Sequence, residues 1–161
     1  MSITLADEVA ATVYLLRGEG EPTNATADTY LEALHELAGP TYIGTKFLPE
    51  WGEHGRGVTH NCIIVQGAGG FGKNPHLPIT VGRVDIKCYS RQNHVARRMA
   101  LLVGHLLSPP ERIHGWVAAN TRVIDCVDLT NPMLLTEPDT NYLYTLQSGN
   151  LRFREIAVTG G

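Results

Sequence analysis

No apolar run in this 161-residue chain approaches the roughly 20 residues that a membrane-spanning helix needs. The opening stretch, MSITLADEVAATVYLL, has no basic region ahead of its apolar residues and carries Asp7 and Glu8, so it predicts no secretory signal. Cysteine is scarce. Cys62, Cys88 and Cys126 form an odd, widely spaced set, which argues against a disulfide framework and fits a reducing compartment. Each lies in an apolar run and is expected to be a buried small hydrophobe. Positive charge is not in excess: thirteen Lys and Arg stand against sixteen Asp and Glu, which excludes the strongly basic signature of a nucleic-acid-binding domain.

Catalytic texture is also sparse. There is no Gly-x-Ser-x-Gly elbow. Cys62 has His60 nearby, but the run CIIV predicts a buried thiol rather than a nucleophile. His54, His60 and Cys62 are the closest metal-ligand types, yet they lack the paired short spacings of a structural zinc site. His94 and His105, on one expected helix, are too far apart to share an ion. His35, His76 and His114 are isolated. Neither a metal nor a cofactor is expected.

One stretch does carry a nucleotide-like pattern. In CIIVQGAGGFGKNPHLPITV, Gly67, Gly72 and Lys73 fit G-x-x-x-x-G-K, and Gly67, Gly69 and Gly72 fit G-x-G-x-x-G. A phosphate loop needs a helix to start near the lysine and a Ser or Thr beside it. Here Asn74 holds the Ser/Thr position, Pro75 and Pro78 would break the first helical turns, and the chain resumes as an alternating strand. A nucleotide-binding enzyme using Gly67 to Lys73 is therefore the rival reading, and a hairpin with glycines Gly67, Gly69, Gly70 and Gly72 before Lys73 is the preferred one. This loop, Gly67 to Pro78, is expected to be mobile in the isolated protein and to order in an assembly.

What is present is a pattern of alternating element types. Thr4-Leu5-Ala6-Asp7 resembles a capping box ahead of a helix over 5–17, with Leu5, Val9, Val13 and Leu16 at helical spacing. A second helix is expected over 26–38, stopped by Gly39-Pro40. A short strand over 42–48 leads to a loop over 49–59 containing Trp51, and a strand over 61–66 leads to the glycine loop. The clearest strand covers 79–89: Val84, Ile86 and Cys88 point one way and Arg83, Asp85 and Lys87 the other. Ser90 is expected to cap a helix over 91–107 with a stripe of Val95, Met99, Leu102 and Leu106. A strand region follows over 116–127, then turns at Pro132 and at 139–141. Strands over 142–147 and 151–158 flank Ser148-Gly149-Asn150, which reads as a bulge or a turn. The order predicts an α+β fold: a single domain over 1–161 with a mostly antiparallel sheet packed by helices on one face.

The segments FLPEW…NCIIVQG…ITVGRVDIKCYSRQNHVARRMALLVGHLL and VIDCVDLTNPMLLTEPDTNYLYTLQSGNLRFREI resemble, in element order and residue texture, the tail terminator (tail completion, minor tail) proteins of long-tailed bacteriophages. The resemblance covers about 41–158 and the first helix; the second helix and the 49–59 loop depart from it. It implies a non-enzymatic virion protein at the head-proximal end of the tail, assembled in the host cytoplasm. Such a protein forms a ring, typically a hexamer, that caps the tail tube protein, ends polymerisation and presents the surface that joins the head-completion (neck) protein. DNA passes through the lumen without specific binding. A head-side completion or adaptor protein of the neck is the neighbouring alternative.

A closed ring needs two unlike faces on each copy. Nine acids and two bases through Glu53 give net −7, which leaves +4 in the remainder. Arg83, Asp85 and Lys87, with Arg97 and Arg98, are the expected basic partner surface, and Asp28, Glu32 and Glu36 the acidic one.

Overall fold

The computed structural model describes residues 7–20, 25–69, 72–73, 79–108, 110–118 and 120–156. Helix α1 spans Glu8–Arg17. Asp7 is its N-cap: the carboxylate accepts from the Val9 amide at 2.8 Å and from that of Ala10, where an anion also suits the helix dipole. The cap expected at Thr4 thus moves to Asp7; Thr4 itself lies outside the described residues. Gly18, at φ 75°, closes the helix in the left-handed region that glycine enters freely. Helix α2, Ala25–Leu37, buries Ala27, Leu31 and Leu34.

The strands follow. β1 is Ile43–Gly44, β2 Gly52–Glu53, β3 Gly57–Val58, β4 Cys62–Gly67, β5 Gly72–Lys73 and β6 Thr80–Tyr89. Helix α3, Asn93–Leu107, intervenes before β7 Val117–Ala118, β8 Thr121–Val127, β9 Met133–Thr136 and β10 Leu143–Glu155. Among the described residues the main sheet runs β1-β4-β6-β10-β8-β7, with β5 beside β6 and β9 beside β10. Only the β1–β4 pair is parallel; β2 and β3 form a separate hairpin. This is the α+β, mostly antiparallel sheet that the element order predicts.

One sheet face presents Ile63, Val65, Val84, Ile86, Cys88, Leu151 and Phe153 to the helices. With Leu15, Leu16, Leu31, Leu34, Met99, Val103 and Leu106 they close the main core. The buried stripe of α3 is Ala96, Met99, Ala100, Val103, Leu106 and Leu107. Val95 and Leu102, expected at its centre, flank it half-buried. The small alanines let the helix sit close on β10, where the Thr145 hydroxyl donates to the Ala96 carbonyl at 3.2 Å. Nor does Ser90 cap α3 directly. It accepts from the Gln92 amide at 3.2 Å, one residue before the helix begins.

The opposite face differs from the polar surface that strand alternation predicts. At the Tyr89 end it carries a second core of Trp51, Val58, Cys62, Ile64, Tyr89 and Tyr142, flanked by Tyr42, Phe47, Leu48 and Tyr144. The Phe47 ring lies 5.1 Å from Tyr89, 5.4 Å from Tyr142 and 6.0 Å from Trp51. Aromatic pairs at such separations add to the stabilisation from buried area. This explains two departures. The strand expected over 42–48 stops at Gly44 because Phe47 and Leu48 leave the sheet edge to cover this cluster. The loop expected over 49–59 is instead held by Trp51, only 7% exposed, and folded into the β2–β3 hairpin.

The C-terminal half holds two more differences. Met133–Thr136 is a strand, paired to β10, that the run MLLT does not announce because it does not alternate. The expected break at Ser148-Gly149-Asn150 is absent: β10 is continuous through it and bulges instead at Arg152/Phe153 against β8. Gly149 serves packing rather than turning. A Cβ there would lie 2.8 Å from Cys126 Sγ and 3.0 Å from Leu129 Cδ1.

Gly149→Val should therefore lower stability by about 1–3 kcal/mol through overpacking, read as a lower urea midpoint; an unchanged midpoint contradicts the close contact. The cysteines give a second expectation. Cys62, Cys88 and Cys126 are free and buried, and burial pushes each thiol from 9.0 up to about 12. All three should resist a thiol-specific disulfide reagent in the native state and react in denaturant. Because the folded-state values are raised, the stability they contribute is complete below about pH 9 and falls as pH rises towards about 12. Urea titrations across that range should show the decline, and fast native labelling at neutral pH would contradict the burial.

Candidate functional site

The sheet is a partition between two chemically different sides. On the side away from the helices, β6 alternation places Arg83, exposed, and Asp85 and Lys87, half-exposed, in one row. The ladder puts them opposite Asn150, Ser148 and Leu146 of β10. Asp85 accepts from the Ser148 hydroxyl at 2.5 Å. Lys87 Nζ lies 5.4 Å from the Tyr144 ring centre, a cation held over an aromatic face. Two of the three charges are thus anchored by β10, and Arg83 projects most freely.

The same side holds features that the sequence pattern does not reveal. Arg152 makes a two-pronged pair with Asp125, its Nε donating to Oδ1 at 2.6 Å and a second nitrogen donating to Oδ2. That hydrogen bond to the carboxylate moves the Arg152 pKa further up. The Tyr89 hydroxyl donates to the Glu137 carboxylate, and Thr140 donates to the other oxygen at 3.2 Å. Burial first, and then Glu137, push the Tyr89 phenol upward. These pairs depend on which strands are neighbours, information that local periodicity does not contain.

On the helical side, Glu32 and Glu36 of α2 are exposed and Asp28 is half-buried. Arg97 and Arg98 of α3 are also exposed there. Tyr30 of α2 stacks on His105 of α3 with ring centres 5.6 Å apart, so the two helices form one layer. The structure therefore groups Arg83, Asp85 and Lys87, and separately groups Asp28, Glu32 and Glu36. It does not join Arg97 and Arg98 to the β6 row, because the sheet lies between them.

The glycine loop passes from strand to strand. The Ala68 amide donates to the Arg83 carbonyl at 2.9 Å, and the Arg83 amide to the Gly69 carbonyl at 2.7 Å, which extends the β4–β6 pairing. Gly69 takes φ 87°, a conformation suited to glycine. Gly72 and Lys73 then pair with Val81 and Thr80. Lys73 is thus a strand residue rather than the start of a helix, and the next described element is β6, again a strand. Gly70, Phe71 and 74–78, part of the loop expected to be mobile, lie outside the described residues.

Three of the described histidines have partners of their own. His60 stacks on Tyr42 at 4.6 Å, His35 Nε2 contacts the Leu16 carbonyl at 2.8 Å and His114 Nδ1 that of Ile124 at 3.0 Å. Cys62 is fully buried on β4 while His54 is exposed. Among the described residues no three His, Cys, Asp or Glu side chains are grouped to hold a metal ion, and no helix is long and apolar enough to cross a membrane.

Neither a protein-family model nor a curated protein matches the sequence. Solved structures do share the fold. One that is similar is a chain from the "Virion of native gene transfer agent (GTA) particle", at 13% identity and a TM-score of 0.51, over 80% of this chain and 91% of that one. At that identity the likeness establishes the fold: a three-helix layer on a mostly antiparallel sheet, shared with a component of a virion.

Proposed function

We propose that this protein is a structural component of a virion, acting as a tail terminator: a homo-oligomeric ring, hexameric in the pattern of that family, seated on the end of the tail tube. In this role it ends polymerisation of the tube protein and presents the surface to which the head-completion protein docks, with DNA passing through the lumen. The observation that carries the reading is the shared fold with a virion chain over 91% of that chain's length. The sheet supports it physically. Its outer face bears Arg83 and Lys87 and its helical face bears Glu32 and Glu36, the unlike surfaces that head-to-tail contacts in a ring require.

Electron microscopy of particles made without the protein tests the role. Tails should be irregular in length and unjoined; tails of normal length would refute termination. Immunogold labelling should mark free tails that have not met heads, whereas label confined to heads would favour the head-side adaptor. Calorimetry with ATP, GTP and NAD, with and without magnesium, should show no binding, and binding abolished by Lys73→Ala would restore the enzyme reading.

Reversing Arg83 and Lys87 to Glu should weaken ring assembly while leaving the monomer folded. Exposed charges chiefly steer association, so the expected loss is ~1–2 kcal/mol, about 5- to 30-fold in assembly midpoint, and it should shrink with added salt. Parental assembly across a salt series would remove these two residues from the contact.

A further inference from the structure

A cleft of ≈ 300 Å³ opens where the β2–β3 hairpin, the junction of β6 with α3, and the turn between β9 and β10 converge. Its walls include Arg56, Arg91, Ser90 and Thr140. The two arginines are brought together by the hairpin. A Cβ on Gly57 would lie 3.3 Å from Arg91 Cγ, so the Arg91 stem lies against the residue that follows Arg56. Arg56 is only loosely engaged: its Nε is 3.5 Å from Glu53, and both side chains are more than half exposed. Arg91 makes no ion pair among the described residues. Ser90 is 2% exposed and fixes the floor, its oxygen taken by the Gln92 amide. The Thr140 hydroxyl is spent on Glu137, so the two guanidinium groups are what the cleft offers a carboxylate, which arginine recognises through paired N–H donors.

We propose that this cleft binds the acidic face of α2 from a second copy of the chain, Glu32 and Glu36 entering between Arg56 and Arg91. The inference rests on the ring reading and assigns the α2 acids to this cleft, leaving the Arg83 and Lys87 row to a separate part of the contact. Glu32 and Glu36 are exposed, stand four residues apart on one face of the helix, and make no ion pair among the described residues. Within one chain, α2 packs against α3 and α1, while the cleft is walled by the β2–β3 hairpin, the junction of β6 with α3 and the β9–β10 turn, with no residue of α2 in it. Glu32 and Glu36 pair with neither arginine within the chain, so the seat is open to the carboxylates of another molecule. A contact between unlike surfaces of two copies is heterologous and gives a ring when the rotation between copies closes.

A reciprocal charge swap tests it. The cleft variant carries Arg56→Glu and Arg91→Glu; the helix variant carries Glu32→Arg and Glu36→Arg. Each alone should raise the concentration for half-assembly at least about tenfold, because like charges then face each other. An equimolar mixture should restore assembly, since every cleft then meets an opposite helix. Mass photometry reads the oligomers and circular dichroism the fold. If the reversed cleft unfolds, Arg56→Gln with Arg91→Gln replaces it, and a smaller loss, about threefold, is expected. Parental assembly by either variant alone overturns the pairing, as does a mixture no better than its components. A parent protein that stays monomeric overturns the ring reading together with this contact, whereas a ring-forming parent whose cleft variant assembles equally well overturns the contact alone.

Discussion

The ten-residue antiparallel register between β6 and β10, from Thr80 opposite Phe153 to Tyr89 opposite Tyr144, is the constraint on which the rest depends. Side chains alternate across a sheet, so a slip of one residue would turn Arg83, Asp85 and Lys87 into the core and Val84, Ile86 and Cys88 out of it. The register is held from both sides. Thr145 bonds to α3 within the core, and Ser148 bonds to Asp85 on the outer face. Gly149 leaves room for Cys126 and Leu129 to close over the strand. With β10 fixed, β8 and β9 share its other edge, and the Arg152–Asp125 pair follows from that placement.

The partition gives the molecule its two characters. The helical side is an apolar core under a polar helix layer that carries the acidic residues of α2. The outer side is aromatic at one end, where Trp51, Phe47, Tyr89 and Tyr142 pack, and charged along the β6 row. At the Thr80 end of β6, Ala68, Gly69, Gly72 and Lys73 extend the strand pairing.

Much of this was legible in the sequence because it is local. The alternation over Val84 to Cys88 marks β6 and its two faces, and helical spacing marks α1 and α2. The strand that resumes after Pro78 already argues against a phosphate loop. What could not be read is what depends on distant partners. Phe47 and Trp51 look like loop residues until Tyr89 and Tyr142 arrive from elsewhere in the chain. Gly149 looks like a break until Cys126 and Leu129 approach it. Arg97 and Arg98 look like companions of Arg83 because the chain is short between them, yet the sheet separates them. Arg56 and Arg91 come to line one cleft only when the β2–β3 hairpin folds back onto the start of α3.

The central claim is that both sides of the sheet are covered by other molecules in the assembled particle. Chemical footprinting of the particle against the free chain addresses it most directly, with a carboxylate label read at Glu32 and Glu36 and an arginine label read at Arg83 and Arg91. The account predicts that labelling falls on both sides together on assembly, while Asp28, half-buried already, changes less. Protection on one side alone, or on neither, would contradict it.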